Sequence, residues 1–122
     1  MVAGSSHAPS IVHTLYSIFS SPMRKKIAAG NWKMNTDAKQ ASSLASEVVN
    51  MVQDEYRGEA QVIFAPPFPF LSLVAHQIQG KDRFFLSAQT LHEEESGAYT
   101  GETAASMLTS IGASHVIIGH SE

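Results

Sequence analysis

Apolar residues along the chain fall into two alternating patterns, short continuous runs and longer stretches with helical spacing. The short runs are apolar on both faces, which is typical of buried strands in a parallel sheet. They predict four strands, at residues 26–29, 60–65, 84–88 and 115–118. The stretches between them predict three helices, each with one apolar stripe, over residues 41–52, 70–78 and 104–111. This β-α-β-α-β-α-β order indicates an α/β protein with a parallel sheet, either open or curled into a barrel.

Polar residues at the predicted ends of the first helix support this reading. Thr36 and Asp37 are both good N-cap residues, and Gln40 follows Asp37 at the spacing of a capping box. Arg57 and Gly58 come where the helix is expected to end, and a cation and a glycine both favour helix C-termini. The first helix is therefore expected to begin just after Asp37 and to end near Arg57.

The connection after the third predicted strand is unusually long. Residues 89–100 separate that strand from the third helix, whereas a strand-to-helix loop usually has roughly 2–6 residues. Long loops in compact domains are usually functional or disordered. This segment is therefore a candidate for binding or assembly.

Chemically capable side chains follow the first and fourth predicted strands. Asn31 and Lys33 come directly after the apolar run that Gly30 closes, and His120 comes directly after Gly119. Because the carboxyl ends of parallel strands meet at one edge of a sheet, we expect these side chains to share a pocket. A cation, an amide and an imidazole there suggest a small anionic substrate with a carbonyl to polarise. From the residues alone, a solvated lysine and an asparagine selected for a turn are open alternatives.

Composition excludes several classes of function. The chain of 122 residues has a formal charge of −3 and a sequence pI near 6.0, so nucleic acid is not expected as a partner. It has no cysteine and no apolar run long enough to span a bilayer, so disulfides, thiolate metal sites and a membrane span are not expected. Residues 92–95, a histidine and three glutamates in succession, are predicted to be a solvated loop because consecutive residues cannot converge on one metal ion. Residues 120–122 fit the H-x-E of zinc deaminases, but the cysteines of that motif are absent.

The first 22 residues differ from the rest, because they contain no lysine, arginine, aspartate or glutamate. They lack the positive region of a secretory signal and the arginines of a transit peptide. We expect residues 1–22 to be a disordered leader or an upstream extension of the reading frame, with Met23 the original start and a targeting segment as the alternative. Residues 23–122 are expected to form the folded domain.

Three spaced motifs carry a resemblance to a known family. GNWKMN at residues 30–35, GAYTGE at residues 97–102 and IIGHSE at residues 117–122 resemble, in order and spacing, the N-terminal part of triosephosphate isomerase. The resemblance runs from Met23 to Glu122 and implies a (β/α)8 barrel, of which these residues supply the first four strands and three helices. A whole barrel of this class needs about 250 residues.

The resemblance also assigns roles to the residues after the first strand. Lys33 falls on the family's substrate-binding and catalytic lysine, and Asn31 falls on its active-site asparagine. Trp32 belongs to the same substrate-binding motif. It lies between two inward-pointing positions, so we expect its side chain to pack outward and only its backbone to reach the site.

After the fourth strand, the resemblance makes His120 the electrophile that polarises the substrate carbonyl and moves protons between adjacent oxygens. Ser121 and Glu122 are expected to lie next to the residues that contact the substrate rather than to contact it themselves, with the Glu122 carboxylate near Lys33. Glu122 follows His120 too closely to be the family's general base. A solvated terminal glutamate is the alternative from the residues alone.

The GAYTGE motif implies an assembly. In the family this loop docks into a neighbouring subunit, so Thr100 and Gly101 are expected at a homodimer interface, with Thr100 reaching the partner's active site. From the residues alone, the segment is a tight turn that enters a helix.

The resemblance implies interconversion of dihydroxyacetone phosphate and glyceraldehyde 3-phosphate through an enediolate, in the cytoplasm and without a cofactor or metal. The family's general base, lid loop and phosphate loops belong to its second half, so the chain by itself is expected to be inactive. Two other hypotheses are a truncated fragment without enzymatic function and an open-sheet phosphate-binding module of flavodoxin-like type.

Overall fold

A computed structural model describes residues 24–122, and the predicted leader at residues 1–22 lies outside the described residues, as does Met23. Strands and helices alternate along the described part of the chain. They are β1 (Ile27–Asn31), α1 (Ala38–Glu55), β2 (Gln61–Ala65), a short 3₁₀ turn (Phe68–Phe70), α2 (Leu71–Ile78), β3 (Phe84–Ala88), α3 (Ala105–Ser110) and β4 (Ala113–Val116). The order predicted from the hydrophobic pattern is therefore confirmed.

The four strands form one parallel sheet in the sequential order β1-β2-β3-β4. Each strand thus pairs with the strand before it and the strand after it. In a flavodoxin-like sheet the order is 2-1-3-4-5, so the open-sheet hypothesis is wrong. Sequential parallel strands with intervening helices are the arrangement of a (β/α)8 barrel, of which this is a part.

The hydrophobic core lies between the helices and one face of the sheet. Alternate residues of β3 point into it, because side chains along a strand alternate between the two faces. The helices contribute most of their predicted apolar stripes, but Leu44 and Met107 within those stripes are 37% and 52% exposed. The buried residues of this cluster are Ala45, Val49, Phe64, Leu71, Val74, Ile78, Phe84, Leu86, Ala88, Leu108 and Ala113.

The capping box at the start of α1 is formed as predicted. The Gln40 backbone N–H donates to the Asp37 carboxylate over 2.8 Å, and the Asp37 N–H donates to the Gln40 side-chain oxygen over 3.0 Å. At the other end, the Arg57 guanidinium donates to the Gln53 carbonyl over 3.2 Å, which satisfies a carbonyl in the last turn. The predicted start of the first helix is thus confirmed. Its end lies three residues before the predicted Gly58, because the helix stops at Glu55 and Tyr56 is the C-cap residue.

The prediction that the first strand is buried on both faces is wrong. All five residues of β1 are exposed, and Ile27 keeps 54% of its surface accessible. The reason is position, since β1 is an edge strand whose one hydrogen-bonded neighbour is β2. Three of its residues are alanine or glycine and reach little of the core.

The fourth strand is displaced from its predicted position. It spans Ala113–Val116 rather than residues 115–118, and Ile118 is 83% exposed. A register shift between Leu86 and Ser87 aligns β3 with Ala113 on one side of the shift and with His115 on the other. Tertiary pairing therefore sets the start of β4.

Among the described residues, no helix is long and apolar enough to cross a membrane.

Candidate active site

The residues that follow β1, β3 and β4 line one cavity at the carboxyl edge of the sheet. It has a volume of about 390 Å³, and its polar lining consists of Asn31, Lys33, Gln89, His120 and Glu122. The structure therefore brings together the three side chains predicted to share a pocket. A larger groove, of about 650 Å³, lies near the amino ends of β3 and β4. In parallel α/β folds, sites are built at the carboxyl ends of the strands, so the smaller cavity is the candidate site.

Lys33 has an unusual backbone conformation. Its φ angle is 56°, in the left-handed region that residues other than glycine seldom occupy. Its N–H donates to the Asn31 side-chain oxygen over 2.9 Å, and its carbonyl accepts from the Gln89 side-chain nitrogen over 2.9 Å. Such strained residues cluster at functional sites and persist when their surroundings hold them in place.

The Lys33 ammonium forms an ion pair and a hydrogen bond with the Glu122 carboxylate. The other Glu122 oxygen lies 3.4 Å from His120 Nδ1. The hydrogen bond from Lys33 and its positive charge hold the pKa of Glu122 below its usual range, with a smaller contribution from His120. All three side chains are more than half exposed, so solvent screens the attraction between them.

The Trp32 side chain packs away from the cavity, in the direction expected from its position in the motif. Its ring lies edge-on to Phe64 with the centroids 6.0 Å apart, and it packs against the core cluster rather than lining the cavity. Its backbone remains close to the site, because its N–H donates to the Ala65 carbonyl over 3.1 Å and its carbonyl accepts from Asn35. The indole thus anchors the loop that carries Lys33.

The remaining predicted residues lie outside the cavity. Ser121 is exposed between His120 and Glu122 but does not line it. Thr100 and Gly101 are exposed in the long connection after β3, which spans residues 89–104. A turn closed by the Glu102 N–H and the Tyr99 carbonyl holds them, and its φ of +89° at Gly101 explains the glycine there. The structure therefore does not unite the GAYTGE motif with the Lys33 cavity.

Gln89 is the residue of the cavity that the sequence reasoning missed. It comes directly after the last residue of β3, as polar residues do after β1. The prediction placed it at the start of a long loop and gave it no role. Applying the strand-end rule to the third strand as well as to the first and fourth would have found it.

The cavity combines a cation, an amide and an imidazole on one exposed rim. The ammonium can neutralise an anion, the amide can bind an oxygen, and the imidazole can exchange a proton with one. Within residues 24–122, no group of three or more histidine, aspartate or glutamate side chains is placed to hold a metal ion. Such a site suits a small anionic ligand that carries oxygen functions.

The fold and the cavity together define a protein of the (β/α)8-barrel class with a polar site at the carboxyl ends of its strands. The model of the triosephosphate isomerase family matches residues 26–122. The triosephosphate isomerases of Cytophaga hutchinsonii and Alkaliphilus oremlandii are 47% and 48% identical to the chain over 100 and 101 residues. The chain therefore belongs to the triosephosphate isomerase family.

A solved structure agrees in fold. The crystal structure of triosephosphate isomerase from Bartonella henselae matches with a TM-score of 0.65 and 34% sequence identity, over 80% of this chain and 38% of that one. Each of the two sequence matches covers 82% of this chain but only 39% of the relative. The chain thus spans about two fifths of the length of the relatives that it resembles.

Proposed function

We propose that this chain supplies the cation, amide and imidazole of a triosephosphate isomerase active site. The reaction is the interconversion of dihydroxyacetone phosphate and glyceraldehyde 3-phosphate, without a cofactor. The observation that carries the proposal is the single cavity that Lys33, Asn31 and His120 line together. Family membership supports the same assignment, and so does the resemblance of GNWKMN and IIGHSE, which contain these three residues, to the family's motifs.

The mechanism needs stabilisation of negative charge at two places. A base removes a proton from the carbon next to the carbonyl, and the electron pair moves onto the carbonyl oxygen to form an enediolate. The Lys33 ammonium neutralises the substrate phosphate and this developing charge, while the His120 imidazole donates a hydrogen bond to the oxygen. His120 protonates the former carbonyl oxygen and takes the proton of the neighbouring hydroxyl, so that a proton moves from one oxygen to the other. The base then returns its proton to the neighbouring carbon, which completes the exchange of aldehyde and ketone.

Asn31 has a double role in this proposal. Its side-chain oxygen accepts from the Lys33 N–H, so it helps to fix the loop that carries the lysine. The amide nitrogen of the same side chain then donates to a substrate oxygen. One residue thereby shapes the site and contacts the ligand.

Glu122 is a poor candidate for the general base. Its carboxylate is paired with Lys33, and the lowered pKa of Glu122 makes it a weaker proton acceptor near neutral pH. We propose that the base comes from another part of the barrel, as the family resemblance implies. Loss of a general base alone costs roughly 10²–10⁴ in rate, and the family's phosphate loops also belong to the part that this chain does not match, so residues 1–122 by themselves should show no turnover above background.

A hybrid enzyme tests the proposal. Residues 24–122 are joined to the part of the Cytophaga hutchinsonii isomerase that this chain does not match, and turnover is followed in a coupled isomerase assay. We expect activity from the hybrid and none above background from residues 1–122 alone. An inactive but folded hybrid would support the non-enzymatic alternative instead.

The hybrid enzyme also tests the catalytic role proposed for Lys33. Lys33→Met should reduce turnover by roughly 10²-fold or more, because it removes charge stabilisation in the transition state. Lys39→Met is the matched control, since Lys39 is an exposed lysine in the first turn of α1. Equal activity of the two variants would contradict the role proposed for Lys33.

We further propose a cytoplasmic homodimer in which the GAYTGE loop, residues 97–102, docks into a second subunit. The loop is exposed, and its base is held by pairing between His92 and Ala104 and by contact between the His92 and Tyr99 rings at 4.3 Å. Size-exclusion chromatography of the hybrid at several concentrations tests this. Thr100→Arg and Gly101→Arg should shift it toward the monomer, whereas an unchanged elution volume would contradict the proposal.

A further inference from the structure

The Gln89 carboxamide joins two segments at the rim of the cavity. Its side-chain nitrogen donates to the Lys33 carbonyl over 2.9 Å and to the Ala65 carbonyl over 2.8 Å. An amide nitrogen has two hydrogens, so these two bonds use its full donor capacity. Gln89 is half-buried, and neither acceptor lies on its own strand.

These bonds act on the strained residue of the site. Lys33 has a φ of 56°, and its two backbone polar groups are held by two different side chains, the N–H by Asn31 and the carbonyl by Gln89. A left-handed conformation of a residue other than glycine persists only when the surroundings determine it. Release of the carbonyl would leave the Asn31 bond as the one side-chain restraint on the Lys33 backbone within residues 24–122.

The backbone conformation decides where the ammonium goes. From this conformation the Lys33 side chain reaches the Glu122 carboxylate, whose other oxygen faces His120. We propose that Gln89 is a positioning residue, which holds the Lys33 backbone in its left-handed conformation and so directs the ammonium into the cavity beside His120. This inference rests on the proposed function, in which the Lys33 ammonium binds the substrate.

A purely structural role is the competing explanation, because the bond to Ala65 also ties β3 to β2. Gln77 provides a matched comparison. Its side-chain nitrogen likewise makes two bonds, to the Ser42 carbonyl and hydroxyl over 3.1 and 2.6 Å, but it joins α2 to α1 away from the cavity. Replacement of either glutamine by methionine removes two hydrogen bonds at similar side-chain volume, and only one of the replacements touches the site.

The readout is the Glu122 carboxylate, which reports on the ammonium without any substrate. The charged or titratable groups that face it are Lys33 and His120. The titration of Glu122 is followed by carbon-detected NMR in the full chain, residues 1–122, and in Gln89→Met and Gln77→Met. We expect Gln89→Met to move the Glu122 titration upward, toward that of an unpaired glutamate, and Gln77→Met to leave it unchanged. An unchanged titration in folded Gln89→Met would overturn the proposal.

If Gln89→Met does not fold, Gln89→Asn replaces it, because the shorter amide cannot span both carbonyls and adds no apolar group. The three-bond coupling between the Lys33 amide and α protons gives a second measurement, since it depends on φ. Loss of the wild-type coupling in either variant supports the proposal, and retention of it in both variants contradicts it.

Ligand binding separates this inference from the proposed function. The probe is phosphoglycolate, whose carboxylate imitates the enediolate beside a phosphate. Its binding is measured by calorimetry in the hybrid enzyme, which contains the family's phosphate loops, with and without Gln89→Met. We expect Gln89→Met to bind it on the order of tenfold more weakly, because a small misplacement of a binding group is costly. If wild type binds the probe and Gln89→Met binds it equally well, the positioning role is wrong. If the hybrid with wild-type Gln89 does not bind it but the Glu122 titration still moves in Gln89→Met, the positioning role stands and the proposed function fails.

Discussion

At the scale of single residues, the ion pair between Lys33 and Glu122 makes a direct prediction. Because this pair lowers the pKa of Glu122, the pair is fully formed at neutral pH and is lost as the pH falls through the Glu122 titration, below the roughly 4.3 of an ordinary glutamate. Lys33→Met should therefore raise the pKa of Glu122, as seen by NMR titration. Lys39→Met should leave that titration in place, and a shift of equal size in both variants would contradict the pairing.

Thr36 is a second residue whose surroundings predict an unusual mutational effect. Its φ angle is 79°, and its hydroxyl oxygen is buried without a hydrogen-bond partner in the described part of the chain. Glycine relieves both problems at the cost of backbone entropy, so Thr36→Gly should raise the free energy of unfolding by about 1 kcal/mol.

Chemical denaturation measures this change, and Thr36→Ser is the control. Serine keeps the hydroxyl and a β-carbon in the left-handed backbone, so little stability should be gained. If Thr36→Gly is less stable than wild type, the strain inferred from its φ angle does not control stability.

At the scale of elements, α1 shows how much a helix boundary depends on one side chain. Asp37→Ala removes the carboxylate that accepts the Gln40 N–H and should cost about 1 kcal/mol of stability. The same substitution at Asp54, in the last turn of this helix, removes a negative charge from the negative end and should cost nothing. Thermal denaturation of the two variants compares them directly. Equal losses would mean that the capping box is not the cause.

The elements also show where sequence reasoning succeeds and where it does not. The predicted bounds of β3 and the N-cap of α1 agree with the structure, because both are set by local signals. The start of β4 does not agree, because the register shift beside Ser87 sets it. The exposure of β1 was missed for a similar reason, since a sequence pattern does not reveal which strand lies at an edge. Residues close in sequence determine where a helix or strand forms. The neighbouring strands and helices determine the register and the burial of that helix or strand.

In the candidate site, too, some features follow from local sequence and others depend on residues that are distant in the sequence. That Asn31, Lys33 and His120 line one cavity could be predicted, because the carboxyl ends of parallel strands meet at one edge. The left-handed backbone of Lys33 and its bond to Gln89 could not, because they depend on a residue 56 positions away. Reactive side chains at strand ends can be predicted from the sequence. The side chains that hold them in position, such as Gln89, can be identified only once the sheet is assembled.

At the scale of the whole molecule, stability should depend on the layer between the helices and the sheet. Leu86 is 1% exposed in the middle of β3, so Leu86→Ala should lower the free energy of unfolding by about 2–5 kcal/mol. Ile118→Ala removes an apolar side chain that is 83% exposed and should change it by less than about 0.5 kcal/mol. Urea denaturation provides both values. A large effect at Ile118 would show that the face after β4 is covered in solution.

The sequential strand order also bears on how such a protein comes into being. Each strand takes its hydrogen-bonded neighbour from the segment synthesised immediately before it, so the sheet can grow in the direction in which a ribosome releases the polypeptide. The strand order therefore allows the sheet to form in the order in which its strands are synthesised.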